Sequence, residues 1–228
     1  GKKLYCAFVD YEKCYDYLDR AAVWWKLPNS GVSSKLVRLL RNMYSKINLK
    51  VQGDERYFFS TAGLLQGDVL SPFLFSIFVN DLEDVMSRED YGVQIENLLI
   101  QMLMFADDTV LFSETRAGLQ EGLNGLYSYC SKWGITVNTT KTKTLVFKKG
   151  GRLAKNDIWS YGETTIETVT TFKYLGYHMT SSGSFSLGTH ERVNSARRAL
   201  FVLKQYFASN TEIFPSTKIT FFRSAISP

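Results

Sequence analysis

Histidine is scarce in this chain of 228 residues, with only His178 and His190, and the three cysteines, Cys6, Cys14 and Cys130, are scattered and odd in number. Neither set has the spacing of a zinc site, and histidine-based catalysis has little to build on. Scattered thiols fit a reducing intracellular compartment better than a disulfide framework. No apolar run is long enough to span a membrane, no signal peptide is visible, and no repeat or low-complexity tract stands out. What remains is ordinary globular composition, 45% hydrophobic and 21% charged, with a formal net charge of +5. That mild basic bias is compatible with a polyanionic partner. The chain opens on Gly1-Lys2-Lys3 and closes on Ile226-Ser227-Pro228 just after an expected helix, so it reads as a piece of something longer.

The expected elements alternate between strands and helices. Leu4–Val9 is apolar throughout and predicts a strand buried on both faces. A helix-prone stretch from Glu12 to Leu27 is broken by Pro28 and Gly31. Leu36, Leu39, Leu40, Met43 and Tyr44 follow helical spacing, with Lys35, Arg38 and Arg41 off that stripe. Ile47–Val51 and Arg56–Thr61 flank a hairpin turn. Ser71-Pro72 opens a long helix to about Met86, with Ser as cap and Pro at the first position. Leu119, Leu123, Leu126, Cys130 and Trp133 mark another amphipathic helix, stopped by Gly134. Short strands at Thr144–Phe147 and Thr171–Met179 flank a basic turn, Lys148–Arg152. Val193, Ala196, Leu200, Leu203 and Phe207 predict the core stripe of a last helix carrying Arg192, Arg197, Arg198 and Lys204 outward. A boundary falls near Gly183–Gly188, giving a mixed unit over 1–183 and a helical unit over 184–228.

The chemistry concentrates on carboxylates. Asp107 and Asp108 split two apolar runs, Leu98–Phe105 and Thr109–Phe112, which predict two buried strands of a hairpin. Adjacent negative charges at an apolar sheet edge repel, and a cation relieves them. Hard oxygen donors without His or Cys favour Mg²⁺ or Mn²⁺. The plainer alternative is a solvated Asp-Asp turn. Asp10 ends the first apolar strand, either as a third carboxylate of one cluster or as the cap of the following helix. Three carboxylates around two metal ions suit phosphoryl transfer on nucleotides.

Phe8-Val9-Asp10-Tyr11-Glu12-Lys13-Cys14-Tyr15-Asp16 resembles the first palm motif of reverse transcriptases, and Phe105-Ala106-Asp107-Asp108 resembles their metal-binding motif. Gly63 to Leu82, with Gln66-Gly67, Ser71-Pro72 and Asn80-Asp81-Leu82, closely resembles a motif of the non-LTR (LINE-type) retrotransposon enzymes. Asn138–Lys143 and Phe172–Gly176 are similar to that group's later motifs. The order and spacing agree from the first residue to about Gly183.

The resemblance implies an α+β polymerase palm, a ferredoxin-like antiparallel sheet backed by helices, with partial fingers and the start of a helical thumb. It implies RNA-directed DNA synthesis from a primer 3′-hydroxyl with dNTPs and two Mg²⁺ ions, Mn²⁺ being the substitute. Asp10, Asp107 and Asp108 would hold metal, with the Tyr11 carbonyl as a further ligand. Tyr15 corresponds to a steric gate against a ribose 2′-hydroxyl, and Gln66, Gly67 and Phe105 to the nucleotide pocket. Lys141 matches the position that steadies the departing pyrophosphate. Phe172, Tyr174, Leu175 and Gly176 match a primer-gripping hairpin. Arg192, Arg197, Arg198 and Lys204 would meet phosphates of an RNA template–DNA primer duplex, without a membrane partner, and the location implied is the nucleus. Two positions depart from the pattern: Leu65 stands where a basic residue is usual, and Cys14 where alanine is more common. The alternatives are an inactive relic or co-opted nucleic-acid-binding module, and a group II intron-type or other reverse transcriptase.

Overall fold

The structure, a computed structural model, describes residues 3–50, 52–53, 55–86, 91–150, 157–210 and 212–225. Val51 of an expected strand, Asp54, Gly151 and Arg152 of the expected turns, and both chain ends, Gly1-Lys2 and Ile226–Pro228, lie outside them. The chain divides into two compact units, residues 1–170 and 171–228.

The first unit begins with β1 (Leu4–Val9), α1 (Cys14–Tyr17), α2 (Arg20–Asn29) and α3 (Ser34–Ser45). Next come the β2 (Asn48–Lys50) and β3 (Tyr57–Phe59) hairpin, α4 (Ser71–Val79), α5 (Leu82–Met86), and the β4 (Val93–Ile95) and β5 (Leu98–Ile100) pair. It closes with β6 (Met102–Phe105), β7 (Asp108–Ser113), α6 (Arg116–Trp133), β8 (Lys143–Phe147), β9 (Trp159–Tyr161) and β10 (Thr164–Val169). Six of these strands form one sheet in the order β6-β7-β1-β8-β10-β9, antiparallel except where β10 runs parallel to β8. The expected α+β class holds, and the sheet is mixed rather than wholly antiparallel.

β1 sits at the centre, and every residue from Tyr5 to Val9 is buried, as its unbroken apolar run requires. Tyr5, Ala7 and Val9 join the main core with Leu111 of β7, Phe75 and Phe78 of α4, and Leu119, Leu123 and Leu126 of α6. Thr115 caps α6 by accepting from Gly118 N–H at 3.0 Å, and Gly134 ends it. The three thiols, Cys6, Cys14 and Cys130, are all buried and free.

Four local expectations change. The helix-prone stretch after β1 breaks at Leu18–Asp19, where the Asp19 side chain accepts from Ala21 N–H at 2.8 Å, and α2 runs through Pro28 in its last turn. Along α3 the buried stripe is Val37, Leu40 and Tyr44, while Leu36, Leu39 and Met43 are exposed. The helix from Ser71 stops at Val79 because Lys26 reaches its end: Lys26 Nζ donates to Phe78 O (2.7 Å), Asp81 Oδ1 (2.6 Å) and Tyr129 OH (2.7 Å). Leu98–Phe105 is two strands, not one: β5 pairs with β4, and β6 is a half-exposed sheet edge.

The second unit holds a hairpin of β11 (Thr171–Tyr174) and β12 (Tyr177–Thr180), then α7 (Ser186–Ser209) and α8 (Pro215–Ala225). Leu175 and Gly176 both take positive φ (47° and 80°), as a tight two-residue hairpin turn demands. The expected α7 core stripe is shallow: Ala196, Leu203 and Phe207 are half-buried, and Val193 and Leu200 are exposed.

Candidate active site

Strand pairing brings the acidic residues together. Val9 lies opposite Thr109 in the β1–β7 ladder, so Asp10 and Asp108, one step further along each strand, end on the same rim of the sheet. Phe105 pairs with Asp108 across β6 and β7, leaving Ala106 and Asp107 as a two-residue turn. Ala106 takes φ +55°, a left-handed conformation costly for a residue with a Cβ. The electrostatics register the crowding. Desolvation, then the charges of Asp107 and Asp10, push the Asp108 carboxyl above its ordinary range. Burial and the Asp107 charge likewise push the Cys14 thiol up to about 12.

Asp10 is not a helix cap: α1 starts behind Lys13, with no side-chain capping bond. Instead the 138–142 loop grips the Asp10 backbone. Asn138 N–H donates to Asp10 O (2.7 Å), and Asp10 N–H donates to the hydroxyl of buried Thr142 (3.1 Å). Asn138 Oδ1 stiffens that loop by accepting from Thr140 N–H and Lys141 N–H, both at 3.1 Å. This directs Lys141 Nζ to within 3.8 Å of Asp10 Oδ2, an exposed and therefore weak ion pair. Tyr11, whose carbonyl was the expected further ligand, is buried, and its hydroxyl accepts from Thr109 Oγ1 at 3.2 Å.

Beside this rim lies a cavity of about 350 Å³ lined by Tyr15, Leu65, Gln66, Gly67, Ser71, Pro72 and Asp107. The structure thus brings Tyr15, Gln66 and Gly67 together with one of the carboxylates. Tyr15 packs on Phe75, with ring centroids 5.1 Å apart, so it is both a core aromatic and a cavity wall. Gln66 Nε2 donates to Asp16 Oδ1 at 2.9 Å. Phe105, expected in the nucleotide pocket, is exposed at the end of β6 and is not among the residues lining this cavity.

The segment leading to Gln66 is welded to α1 and α2. Gly63 N–H donates to Leu18 O (2.9 Å) and Leu64 N–H to Tyr15 O (2.6 Å). Gly63 has φ +74°, and a Cβ there would lie 2.3 Å from Asp16 O and 2.5 Å from Tyr15 O. Arg20 holds the same segment through Ser60, Ala62 and Gly63. These supports went unassigned in the sequence. Their only signals are the glycine that opens the Gly63–Leu82 motif and an arginine at a helix start.

Among the described residues no group of three or more His, Cys, Asp or Glu side chains is arranged to hold a metal ion as it stands. The donor chemistry nonetheless fits a hard divalent cation: carboxylates on one rim, mutually repelling, with one carboxyl pushed toward its neutral form. Mg²⁺ usually takes one or two carboxylates and completes its shell with water and substrate phosphates rather than in an all-protein cage.

The other expected residues belong to the second unit. Phe172 and Tyr174 lie on β11, with Leu175 and Gly176 in its turn. Arg192, Arg197, Arg198 and Lys204 are all exposed on α7. Within that unit Arg192 stacks over the Tyr177 ring at 4.0 Å, and His178 Nε2 lies 2.8 Å from Glu191 Oε2.

Comparison with known proteins agrees with this architecture. The family model for reverse transcriptase (RNA-dependent DNA polymerase) matches residues 1–179. The chain is 29% identical over 192 residues to the Pol polyprotein of the type-2 retrotransposable element R2DM of Drosophila melanogaster, covering 80% of this chain and 18% of that protein. It is 23% identical over 227 residues to the RNA-directed DNA polymerase from the mobile element jockey of Drosophila funebris, covering 97% of this chain and 24% of that one. The chain therefore spans about a fifth to a quarter of the length of these relatives. In fold it is similar to the telomerase of Candida tropicalis, with a TM-score of 0.55 at 17% identity over 79% of this chain and 34% of that one. No described helix is long and apolar enough to cross a membrane. The chain belongs to the reverse transcriptase family, on the branch of the non-LTR retrotransposable elements.

Proposed function

We propose that this chain carries the catalytic centre of an RNA-directed DNA polymerase that adds dNTPs to a primer 3′-hydroxyl. The observation that carries the reading is the shared rim: Asp10 and Asp108 lie opposite each other at one edge of adjacent strands, and Asp107 lines the cavity together with Tyr15, Gln66 and Gly67. Divalent metal, two Mg²⁺ ions or Mn²⁺, held by Asp10, Asp107, Asp108 and the Tyr11 carbonyl, would supply the positive charge that in-line displacement at phosphorus needs.

The chain's own groups then orient and exclude. The Tyr15 ring, backed by Phe75, occupies the space a ribose 2′-hydroxyl would need and so favours dNTPs. Gly67 permits close backbone approach by the nucleotide, and Gln66 offers both a donor and an acceptor. Lys141, tethered beside Asp10, is placed to steady negative charge leaving with pyrophosphate. In the second unit, the 171–180 hairpin would hold the primer end. The exposed Arg192, Arg197, Arg198 and Lys204 would take up phosphates of the template–primer duplex, a contact sensitive to salt and indifferent to sequence. We assign residues 1–183 to palm with partial fingers and 184–228 to the start of a thumb. From the resemblance to retrotransposon enzymes, we assign the working protein to the nucleus.

The test is primer extension on an RNA template with dNTPs and Mg²⁺, comparing this chain with Asp107→Asn, Asp108→Asn. Extension by the parent alone supports the reading. A folded parent that binds template–primer but extends nothing, with Mg²⁺ or Mn²⁺, makes it a nucleic-acid-binding module instead. Leu65 in the cavity wall, where the family usually has a basic residue, is the observation favouring that alternative.

A further inference from the structure

Arg20 opens α2 and is half-buried, and all five of its N–H groups are used. Nε donates to Gly63 O at 2.7 Å. Nη1 donates to Ser60 O at 2.7 Å and Tyr44 O at 3.2 Å. Nη2 donates to Ser60 Oγ at 2.8 Å and Ala62 O at 2.9 Å. Every acceptor is a neutral oxygen, and four of the five belong to the run 60–63. A guanidinium so committed has no donor left for a substrate phosphate. Its rigid fork instead fixes a piece of backbone, which a lysine ammonium cannot span.

That piece of backbone leads into the nucleotide wall. Gly63 and Leu64 bond back to Leu18 and Tyr15, and Gln66 follows two residues later. The second side of the wall is tied to the same arginine through Tyr44. The Arg20 guanidinium lies 5.3 Å from the Tyr44 ring centroid. The Tyr44 hydroxyl donates to Asp68 Oδ2 at 3.2 Å and lies 3.3 Å from Ser71 Oγ. Ser71 Oγ in turn donates to Leu65 O at 2.5 Å. Arg20 therefore sits behind both ends of the Leu64–Asp68 turn without reaching the cavity.

We propose that Arg20 is a positioning residue for the incoming nucleotide: by clamping residues 60–63 and Tyr44 it sets where Gln66 and Gly67 meet the dNTP. This rests on the reading of Gln66 and Gly67 as the nucleotide wall. Loss of the clamp lets that wall shift, and displacements of about 1 Å are enough to cost large factors in affinity or rate.

The experiment is equilibrium binding of a dNTP to this chain, with Mg²⁺ and a primed RNA template whose primer lacks a 3′-hydroxyl, so that no turnover is needed. Arg20→Lys, Gln66→Ala and their double variant are compared, with template–primer affinity and thermal stability measured for each. Arg20→Lys is expected to weaken dNTP binding about tenfold while template–primer binding stays within about twofold. The double variant is expected to lose less than the sum of the two single losses. A drop in melting temperature with dNTP affinity unchanged overturns the proposal and leaves Arg20 a brace for the fold. Unchanged affinity in Gln66→Ala, or no dNTP binding by the parent, overturns the underlying pocket reading instead. If Arg20→Lys does not fold, Ser60→Ala removes one acceptor of the clamp and tests the same selective loss at smaller size.

Discussion

Backbone pairing holds the acidic side of the cavity, and side-chain hydrogen bonds hold the opposite side. Asp10 and Asp108 stand where they do because β1 and β7 share a ladder buried in the sheet. Gln66 and Gly67 stand where they do because Arg20, Tyr44, Ser71 and Asp16 reach across from four helices to fix an otherwise irregular segment. A ladder shares its load among many equivalent bonds, so loss of one side chain changes chemistry more than position. A clamp concentrates the load on a few groups, so loss of one changes position first.

The largest effect expected on the ladder side is chemical. Asp10→Asn should reduce primer extension by about a thousandfold or more while leaving the far-UV spectrum and melting temperature near those of the parent. A large loss of stability would mean that the rim depends on the Asp10 charge for its fold, and the contrast would collapse. On the clamp side the largest effect is structural. Gly63→Ala drives a Cβ into the backbone oxygens of Asp16 and Tyr15 at positive φ, and should destabilise by about 2–4 kcal/mol in chemical unfolding. A cost below about 1 kcal/mol would show that the segment can shift away, and that the clamp is loose.

Thr142→Val sharpens the comparison, because through Thr142 the ladder side also relies on a side-chain bond, as the clamp side does on those of Arg20. Removing its hydroxyl leaves Asp10 N–H without its acceptor, at a cost of about 1–2 kcal/mol, and should slow extension. Thr142→Ser should restore both. The smallest effect concerns pH. The Asp108 carboxyl is raised by desolvation and by Asp107 and Asp10, so the folded chain disfavours its charged form. Asp108→Asn should therefore stabilise the chain slightly at neutral pH without divalent cations. The gain should shrink as pH falls through the raised value and vanish below the ordinary carboxylate range, where folded and unfolded chains both carry the proton. Melting curves against pH check the sign.

The same contrast governs what the amino-acid sequence reveals. Asp10, Asp107 and Asp108 are legible because buried strands are written as apolar runs, and a charge ending such a run stands out. The reach of α6 is legible for a similar reason, since Leu119, Leu123 and Leu126 repeat at helical spacing. Arg20, Tyr44 and Thr142 leave no such trace: the side chain of each bonds residues 24 or more positions away, and a contact between distant segments has no period. Local apolarity also misleads where it is not spent on the core. Leu98–Phe105 reads as one buried strand, yet Gln101 interrupts it, and Leu103 and Phe105 are exposed. Along α3, Leu36, Leu39 and Met43 obey the helical period as well as the buried set does, and only packing chooses between the two stripes.

The three buried cysteines carry a practical consequence. Burial raises the pKa of Cys6 and Cys14 and pushes the Cys130 thiol up to about 11, so near neutral pH almost no native thiolate exists to be alkylated. A single cysteine introduced at an exposed position such as Lys35 would be the preferred target of a maleimide dye. The chain can take one fluorophore at a chosen place without first being stripped of its own sulfur.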